Sequence, residues 1–335
     1  MKKFYLLIIV FLCVMPTCLG KTKIFYANSY NEGFFWTGWI VNGFEDVLKK
    51  NGYKLETQHG FLNAFTESKL AQKERARKVL KQIKLFNPDL IICTDDDAMA
   101  LVCLNIRDRK VIFTGINGMD KYLSSEFINS LSKPGHNMTG IFQKTYYSES
   151  LNLIKKLFPK ARTFAVVKDL STTSNEQFKE LQAEKTTLPL KLIKMIESNK
   201  YEIWQEKSKE LALKVDVIFY LNANSVFDKN GKQVQYTDVY RWLGNNIKIP
   251  TVGTWRGQIE NGLLLSASDD GPNQGIYAAY LALKILEGTS PGSLEIKSPP
   301  NGIPIINIGT VKKLKIQIKQ EHMNIFIDNG KIYGK

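Results

Sequence analysis

The sequence predicts an α/β fold of two doubly wound halves, because short apolar runs alternate with helical patterns along nearly the whole chain. Leu90–Cys93 and Val111–Phe113 are apolar without alternation, which suits strands that are buried on both faces of a parallel sheet. The apolar segment Ala98–Ile106 between them predicts a helix, so the three form a βαβ unit. The alternation restarts after Asn137–Ile141, and 335 residues exceed what a single core usually serves, so two domains are expected.

The other elements of the first half follow from apolar periodicity and from helix-ending signals such as Asn51-Gly52. They are the strand Lys23–Asn28, the helix Trp36–Lys50, the strand Lys54–His59, the helix Ser68–Phe86 and the short strand Asn137–Ile141.

The second half repeats the alternation and ends in a long apolar helix, Asn273–Glu287, which Pro272 opens. A Pro- and Gly-rich linker, Ser290–Pro304, follows, and Asp328-Asn329-Gly330 between apolar runs predicts a β-hairpin in the tail. Two such halves joined by several crossings imply a cleft, where small ligands commonly bind. The remaining predicted elements are the strands Thr163–Lys168, Leu190–Ile196, Val217–Leu221, Pro250–Gly253, Gly262–Leu265 and Ile305–Ile308, and the helices Ser148–Phe158, Asn175–Lys185, Tyr201–Lys214, Asp238–Asn245 and Thr310–Leu314.

The segment Met1–Gly20 predicts a cleaved secretory signal peptide and therefore a periplasmic or otherwise exported protein. Two lysines precede the apolar run Phe4–Met15, which is shorter than a spanning helix needs, so a membrane anchor is the weaker alternative. Lipidation at Cys18 is a further alternative, although Met15-Pro16-Thr17 is a poor lead-in for lipoprotein processing. Export leaves Cys93 and Cys103 in a compartment that permits a disulfide, but their buried positions favour two unpaired thiols.

The composition bears on which partners, cofactors and reactions are expected for this chain. The 46 Lys and Arg residues against 32 Asp and Glu give a net charge of +14, but the lysines are scattered over predicted helices without a recognition motif. We therefore expect a solvated basic surface, no nucleic-acid partner and a monomer. His59, His136 and His322 are isolated, so no metal or other cofactor is predicted, and no nucleophile elbow or triad order suggests an enzyme.

Polar and aromatic side chains follow the predicted strands at their carboxyl ends, which is where open α/β sheets bind ligands. Asp95, Asp96 and Asp97 open a helix, so one of them should serve only as an ordinary N-cap. Three exceed what a cap needs, so at least one is expected to contact an amine or hydroxyl of the ligand. A calcium loop would need spaced carboxylates, which makes a metal the weaker reading. The remaining candidates for ligand contact are Asn28, Ser29, Tyr30, Trp36 and Asn117 in the first half, and Asp169, Asn222, Asn224, Trp255 and Asp269 in the second.

Several motifs resemble one known family. Asn137-Met138-Thr139-Gly140-Ile141, the helix AAYLALKILEGTSPG and the later IINIGTVKKLKI are similar to blocks of the ABC-transporter substrate-binding family that includes tryptophan- and tyrosine-binding members. NSYNEGFFWTGWIVNGF, PDLIICTDDDA and VIFTGIN resemble a subgroup that also occurs as sensor domains.

The resemblance implies a type I periplasmic-binding-protein fold with two lobes and three crossings. One lobe would hold residues 21–137 and 268–299, and the other residues 138–267 and 300–335. It further implies a small-molecule ligand, an ABC permease as partner and no catalytic residues. The family's amino-acid-binding members carry a Thr/Ser-Pro type of loop where this chain has Asp95–Asp97, so an aromatic amino acid is in doubt as the ligand.

The leading hypothesis is thus a solute receptor that closes on a small molecule and delivers it to a permease. A ligand sensor that signals through a separate membrane partner is the alternative, and an exported enzyme is the third class. The acidic strand ends and the rings of Tyr30, Trp36 and Trp255 predict a ligand with an amine or several hydroxyls on a partly flat or apolar body.

Overall fold

The computed structural model describes residues 20–64, 66–123 and 126–334, so the predicted leader Met1–Gly20 lies outside the described residues except for Gly20. No helix within these ranges is long and apolar enough to cross a membrane. The elements in chain order are β1 (Thr22–Asn28), α1 (Phe35–Lys50), β2 (Leu55–Phe61), α2 (Lys69–Phe86), β3 (Leu90–Thr94), α3 (Asp95–Leu101), β4 (Val111–Ile116), β5 (Met138–Phe142), α4 (Tyr147–Leu157), β6 (Thr163–Lys168), α5 (Thr172–Glu184), β7 (Lys191–Glu197), α6 (Tyr201–Leu211), β8 (Val217–Tyr220), α7 (Tyr236–Asn246), β9 (Thr251–Val252), α8 (Arg256–Glu260), β10 (Leu265–Ser268), α9 (Gly271–Leu286), β11 (Ile303–Asn307), α10 (Ile308–Lys313), α11 (Gln320–Asp328) and β12 (Lys331–Tyr333).

The first sheet is parallel throughout, with strand order β2-β1-β3-β4-β5. Alternate residues of its central strands enter different cores. Ile91 and Cys93 of β3 join the apolar cluster beneath α2 and α3, whereas Leu90 and Ile92 join the cluster beneath α1 and α9. This two-sided burial is why β3 is apolar at every position from Leu90 to Cys93, as the sequence predicted.

The second sheet repeats that topology and then extends it. Its strand order is β12-β11-β10-β9-β8-β6-β7, so the segment β7-β6-β8-β9-β10 corresponds to β2-β1-β3-β4-β5 of the first sheet. The strand β11 runs antiparallel to β10, and β12 runs parallel to β11. Two doubly wound lobes, the predicted fold class, are therefore confirmed.

The chain crosses between the sheets three times, after β5, after β10 and before β11. Two of the predicted lobe boundaries need correction. The first moves because β5 pairs with β4 as the edge strand of the first sheet. The first lobe thus continues to Phe142 and not to residue 137, since the segment predicted as a crossing has its own hydrogen-bonded place in that sheet. Ser268 ends β10 and belongs to the second sheet, so the second crossing begins at Asp269.

The tail also differs from the prediction. Asn329-Gly330 follows the helix α11 and leads into β12, which pairs in parallel with β11. A helix between two strands allows a parallel return, whereas the predicted hairpin would have been antiparallel. The apolar run before Asp328 is the buried side of α11, where Phe326 packs into the second core.

Cys93 and Cys103 form a disulfide, which corrects the prediction of two free thiols. The helix α3 ends at Leu101, and a 3₁₀ turn at Cys103–Asn105 brings Cys103 back over β3. Their Cα atoms are 6.5 Å apart, within the range that a disulfide spans. The continuous helix predicted over Ala98–Ile106 lacks the turn that returns Cys103 to β3, and burial alone did not distinguish a disulfide from two free thiols.

We predict that replacing both cysteines by alanine lowers the free energy of unfolding by about 3 kcal/mol, because the bond closes a short loop in the unfolded chain. Urea unfolding of the mature protein with and without a reductant measures the effect. Reductant should destabilise the wild type and leave the double variant unchanged. Detection of two free thiols in unreduced, denatured protein would contradict the pairing.

The helices α1 and α9 pack closely through glycine, and this contact positions the first lobe's half of the cavity described below. A Cβ atom at Gly275 would overlap the backbone carbonyl of Ile40, and one at Gly43 would lie 2.5 Å from the carbonyl oxygen of Pro272. Both helices begin near the same edge of the sheet, α1 just before Trp36 and α9 just after Asp269.

We predict that Gly275→Ala destabilises the protein by about 2 kcal/mol, because rigid backbone blocks the added methyl group. Gly38→Ala is the matched control, since it lies in α1 with nothing within 4 Å of its added Cβ. That control should be neutral or stabilising by about 0.5–1 kcal/mol through helix propensity. Equal urea midpoints for the two variants would show that the helices separate at little cost.

Candidate functional site

A cavity of about 360 Å³ lies between the carboxyl ends of the two sheets and the crossing segments. Its wall combines aromatic, acidic and amide side chains from both lobes. The first lobe contributes Tyr30, Phe34, Phe35, Trp36, Asp95 and Asn117, the crossings contribute Gln143, Lys144, Thr145 and Asp269, and the second lobe contributes Thr173, Glu176, Gln177, Glu180, Asn222, Asn224, Tyr236, Thr254 and Trp255.

Each lobe presents one indole ring that is held by a hydrogen bond to a strand-end residue. Trp36 Nε1 donates to Asp95 Oδ1 at 3.1 Å, and Trp255 Nε1 donates to Asn222 Oδ1 at 3.2 Å. Asp95 and Asn222 follow β3 and β8, which occupy equivalent places in the two sheets. The two acceptors are therefore equivalent in the fold, whereas the rings come from different elements, Trp36 from the start of α1 and Trp255 from the turn between β9 and α8.

Asp95 occupies a sharp turn between β3 and α3. Its φ of +66° lies in the left-handed region, which Asp and Asn tolerate better than other side chains. Gly115 of β4 lies directly against it, and a Cβ atom there would come within 2.9 Å of Asp95 Oδ1. The sheet thus leaves room for this one carboxyl group, and such backbone outliers are often found at functional sites.

The carboxyl group of Asp95 is only 2% exposed, and its Oδ2 atom has no hydrogen-bond partner in the described protein. Burial raises its pKa well above the usual range, and the charges of Asp96, Asp97 and Asp269 raise it further, while the Trp36 hydrogen bond opposes them. It is therefore a carboxyl group with unused accepting capacity beside a cavity.

The neighbouring aspartates are directed elsewhere. Asp96 accepts from Asn117 Nδ2 at 3.0 Å and pairs with Lys121 at 2.7 Å, and Asp97 pairs with Lys69 at 2.6 Å. Neither lines the cavity.

The predicted N-cap role belongs to a different residue. Ser29 Oγ accepts from the backbone N–H of Ala98 in α3 at 2.8 Å and donates to Thr94 O at 2.7 Å. Ser29, which follows β1, therefore caps α3 in place of the predicted aspartate. It does not line the cavity.

Asn28 and Asp169 also serve the fold and do not line the cavity. Asn28 Nδ2 donates to the carbonyls of Tyr26 and Gly60, which ties β1 to β2. Asp169 is fully buried and accepts hydrogen bonds from the two hydroxyls of Ser171 and Ser174 and from the backbone N–H of Ser225. These donors satisfy both carboxylate oxygens, so Asp169 organises the loops after β6 and β8.

Two further acids of the wall have a raised pKa. Burial raises the pKa of Asp269 to about 7, although the hydrogen bonds from Gln274 lower it. Burial likewise raises the pKa of Glu180 to about 7, although a hydrogen bond from Thr145 N at 3.2 Å lowers it. Both groups therefore contact a crossing segment.

Eight of the thirteen predicted residues line the cavity, and their contact with a ligand stays a prediction. They are Tyr30, Trp36, Asp95, Asn117, Asn222, Asn224, Trp255 and Asp269.

Sequence reasoning missed one wall of the cavity, the exposed end of α5. This helix begins at Thr172 and not at Asn175, with Ser171 as its N-cap. Thr173, Glu176, Gln177 and Glu180 then recur at spacings of three and four residues, so they share one helix face. That polar stripe was the signal, and the misplaced helix start concealed it. The aromatic residues Phe34, Phe35 and Tyr236 were also missed.

The described residues contain no cluster of three or more His, Cys, Asp or Glu side chains with metal-binding geometry. The chemistry offered by the wall is therefore that of rings, carboxyl groups and amides, which suits an organic ligand.

Comparison with known proteins places this chain among binding proteins. A curated tyrosine-binding protein from Clostridioides difficile is 26% identical over 278 residues, which cover 82% of this chain and 76% of the relative. Among solved structures, a ligand-free, open substrate-binding protein with adhesive properties from Clostridium difficile is similar with a TM-score of 0.75 at 18% identity, covering 94% of this chain and all of the other. An ABC domain in complex with L-Trp from Streptococcus pneumonia has a TM-score of 0.65 at 18% identity over the same shares.

These structural similarities bear out the type I periplasmic-binding-protein fold, which a ribose operon repressor from Lactobacillus acidophilus shares at a TM-score of 0.50 and 15% identity, over 83% of this chain and 95% of the other. The family model described as ABC transporter substrate binding protein matches residues 38–325. Since that match spans well over half of its length, the chain belongs to the family of ABC transporter substrate-binding proteins.

Proposed function

We propose that this protein is an exported receptor that captures a small molecule between its two lobes and delivers it to an ABC permease. The observation that carries the proposal is the pair of fixed indoles, Trp36 and Trp255, on opposite sides of one cavity. A ligand between them contacts both lobes, so its full binding energy is available only when the lobes are close together.

The crossing segments are suited to act as the hinge. Gln274 Nε2 donates to Asp269 Oδ2 at 3.0 Å and to Phe142 O at 3.3 Å, which joins the second crossing to the end of β5, where the first crossing begins. The lobes also touch at the rim, where the Arg256 guanidinium lies 4.4 Å from the ring centroid of Trp39. Closure in such a molecule is a rotation about few residues, with the packed lobes moving as units.

The wall supports binding more than catalysis. Among the described residues that line the cavity there is no serine, cysteine or histidine, so the usual pairs of nucleophile and base are missing from it. The named relatives bind tyrosine or hold L-Trp, and the six aromatic rings of this cavity favour a ligand that likewise has a flat or apolar body.

We predict that a ligand found by mass spectrometry of co-purifying small molecules compacts the protein at saturation. Small-angle scattering with and without the ligand should show a smaller radius of gyration in its presence. A radius unchanged at saturation would contradict closure.

Uptake of the same compound should fall when the gene is deleted from the native host, and unchanged uptake would contradict delivery.

We further predict that Trp255→Phe weakens that ligand roughly fivefold, because it removes a hydrogen bond worth about 1 kcal/mol that fixes the ring. Trp242→Phe is the matched control, since Trp242 of α7 packs beside Tyr201 and does not line the cavity. Calorimetric titration measures both. Equal affinities for the two variants would show that Trp255 is only a part of the core.

A further inference from the structure

The cavity wall carries more negative than positive groups, although the chain as a whole is basic. Four acids line it, namely Asp95, Glu176, Glu180 and Asp269, against one cation, Lys144. Lys144 Nζ already lies 3.5 Å from Glu184 Oε1. Of the four acids, Glu176 pairs with a lysine, Lys179, at 2.7 Å.

Asp95 is the acid whose environment most lacks a positive charge. Its neighbours Asp96 and Asp97 each pair with a lysine, whereas Asp95 accepts one neutral indole N–H and keeps Oδ2 without a partner. A buried carboxyl group in this state is destabilising as an anion unless a countercharge reaches it. An ammonium group in the cavity would supply that charge and the missing hydrogen bond together.

A ligand carboxylate would meet the opposite situation. No arginine is found among the described residues that line the cavity, and its single lysine is already paired. When Asp95, Glu180 and Asp269 are ionised, they would repel a ligand carboxylate. The donors left for that carboxylate are neutral groups such as Thr145 and Thr173. Charge complementarity therefore favours an amine and disfavours an amino acid.

The rings of the wall complete the recognition. Tyr236 and Trp255 are 5.1 Å apart on one side, and Tyr30 and Phe34 are 4.9 Å apart on the other. Aromatic faces bind flat apolar groups, and they also attract organic cations through their negative faces.

From this wall we infer that the ligand is an organic cation, a small molecule with a protonated amine on an aromatic or apolar body and without a carboxylate. The inference rests on the proposed function, since it names the class of solute that the same cavity captures. Asp95 Oδ2 accepts from the ammonium group, and the rings enclose the apolar body.

The inference has a consequence for pH. The groups facing Asp95 are Asp96, Asp97 and Asp269, together with Tyr30, whose pKa the Asp95 charge raises. Because burial raises the pKa values of Asp269 and Glu180 to about 7, these two carboxyl groups ionise as the pH rises toward 8, and the raised pKa of Asp95 shifts its ionisation toward higher pH as well. An amine with a pKa of about 10 stays protonated over that range, so its affinity should increase with pH.

Matched pairs of probes test the inference without any variant. Tyramine against tyrosine, and tryptamine against tryptophan, differ only in the carboxylate and are titrated calorimetrically at pH 8 and pH 5.5. We expect at least one amine to bind roughly tenfold or more tightly than its amino acid, and to weaken at pH 5.5. If neither amine binds more tightly than its amino acid at pH 8, the inference is overturned.

Asp95→Asn then locates the contact. Asparagine tolerates a positive φ and keeps an acceptor for Trp36, so the fold should survive, which circular dichroism checks. The variant should lose the preference for the amine by about tenfold or more, while the exposed Asp120→Asn, which removes the same charge outside the cavity, should keep it. An undiminished preference in Asp95→Asn would overturn the assignment of Asp95.

Failure of the inference is distinguishable from failure of the proposed function. A solute without an amine that binds and compacts the molecule in scattering would overturn the organic cation and leave the receptor in place. A bound amine with an unchanged radius of gyration would support the cation and contradict capture by closure.

Discussion

The hydrogen bonds of one buried glutamine, Gln274, join the strand ends of the first lobe to the segment through which the chain returns from the second lobe. Its Oε1 accepts from Thr114 Oγ1 and from Gly115 N, both at 3.0 Å, at the carboxyl end of β4. Its Nε2 reaches Asp269 in the second crossing and Phe142 at the start of the first. A single side chain in α9 thus ties the carboxyl ends of β4 and β5 to the second crossing, and Gly115 of β4 is the residue that leaves space for Asp95.

The close packing of α9 on α1 gives this connection its rigidity. Glycine at positions 43 and 275 lets the two backbones approach, so the start of α9 and the start of α1 are held together. Trp36 lies on one of these starts and Asp269 immediately precedes the other. The first lobe's contribution to the cavity therefore depends on helix packing in the core, which a substitution far from any ligand would disturb.

The fold was predictable from the sequence because parallel strands buried on both faces leave an unmistakable apolar run, as in Leu90–Cys93. The same rule located the cavity, since parallel strands end at one edge of their sheet. It could not separate binding residues from structural ones at that edge. Asp95 and Asp169 both follow a buried strand, yet Asp169 accepts from the nearby hydroxyls of Ser171 and Ser174 and from the backbone of Ser225, which comes near it only in the folded chain.

Two of the errors involve the ends of helices. An α3 that stops at Leu101 brings Cys103 back to Cys93, and an α5 that starts at Thr172 turns a polar stripe toward the cavity. The cap at the start of α3 was also misassigned, because its oxygen comes from Ser29, more than sixty residues away in sequence. A signal of that kind is not local, so no reading of the segment around Asp95 alone would have found it.

A basic chain can have an acidic cavity because surface charges and buried charges act over different distances. Surface lysines are solvated and screened beyond roughly 8 Å at physiological salt, so the net charge of +14 has little influence inside a closed cleft. Buried carboxyl groups act over a few ångströms in a medium of lower polarity, where one unmatched charge outweighs many screened ones. We therefore propose that Asp95 and its neighbours set the selectivity of the receptor, while the basic surface affects only the encounter with the ligand.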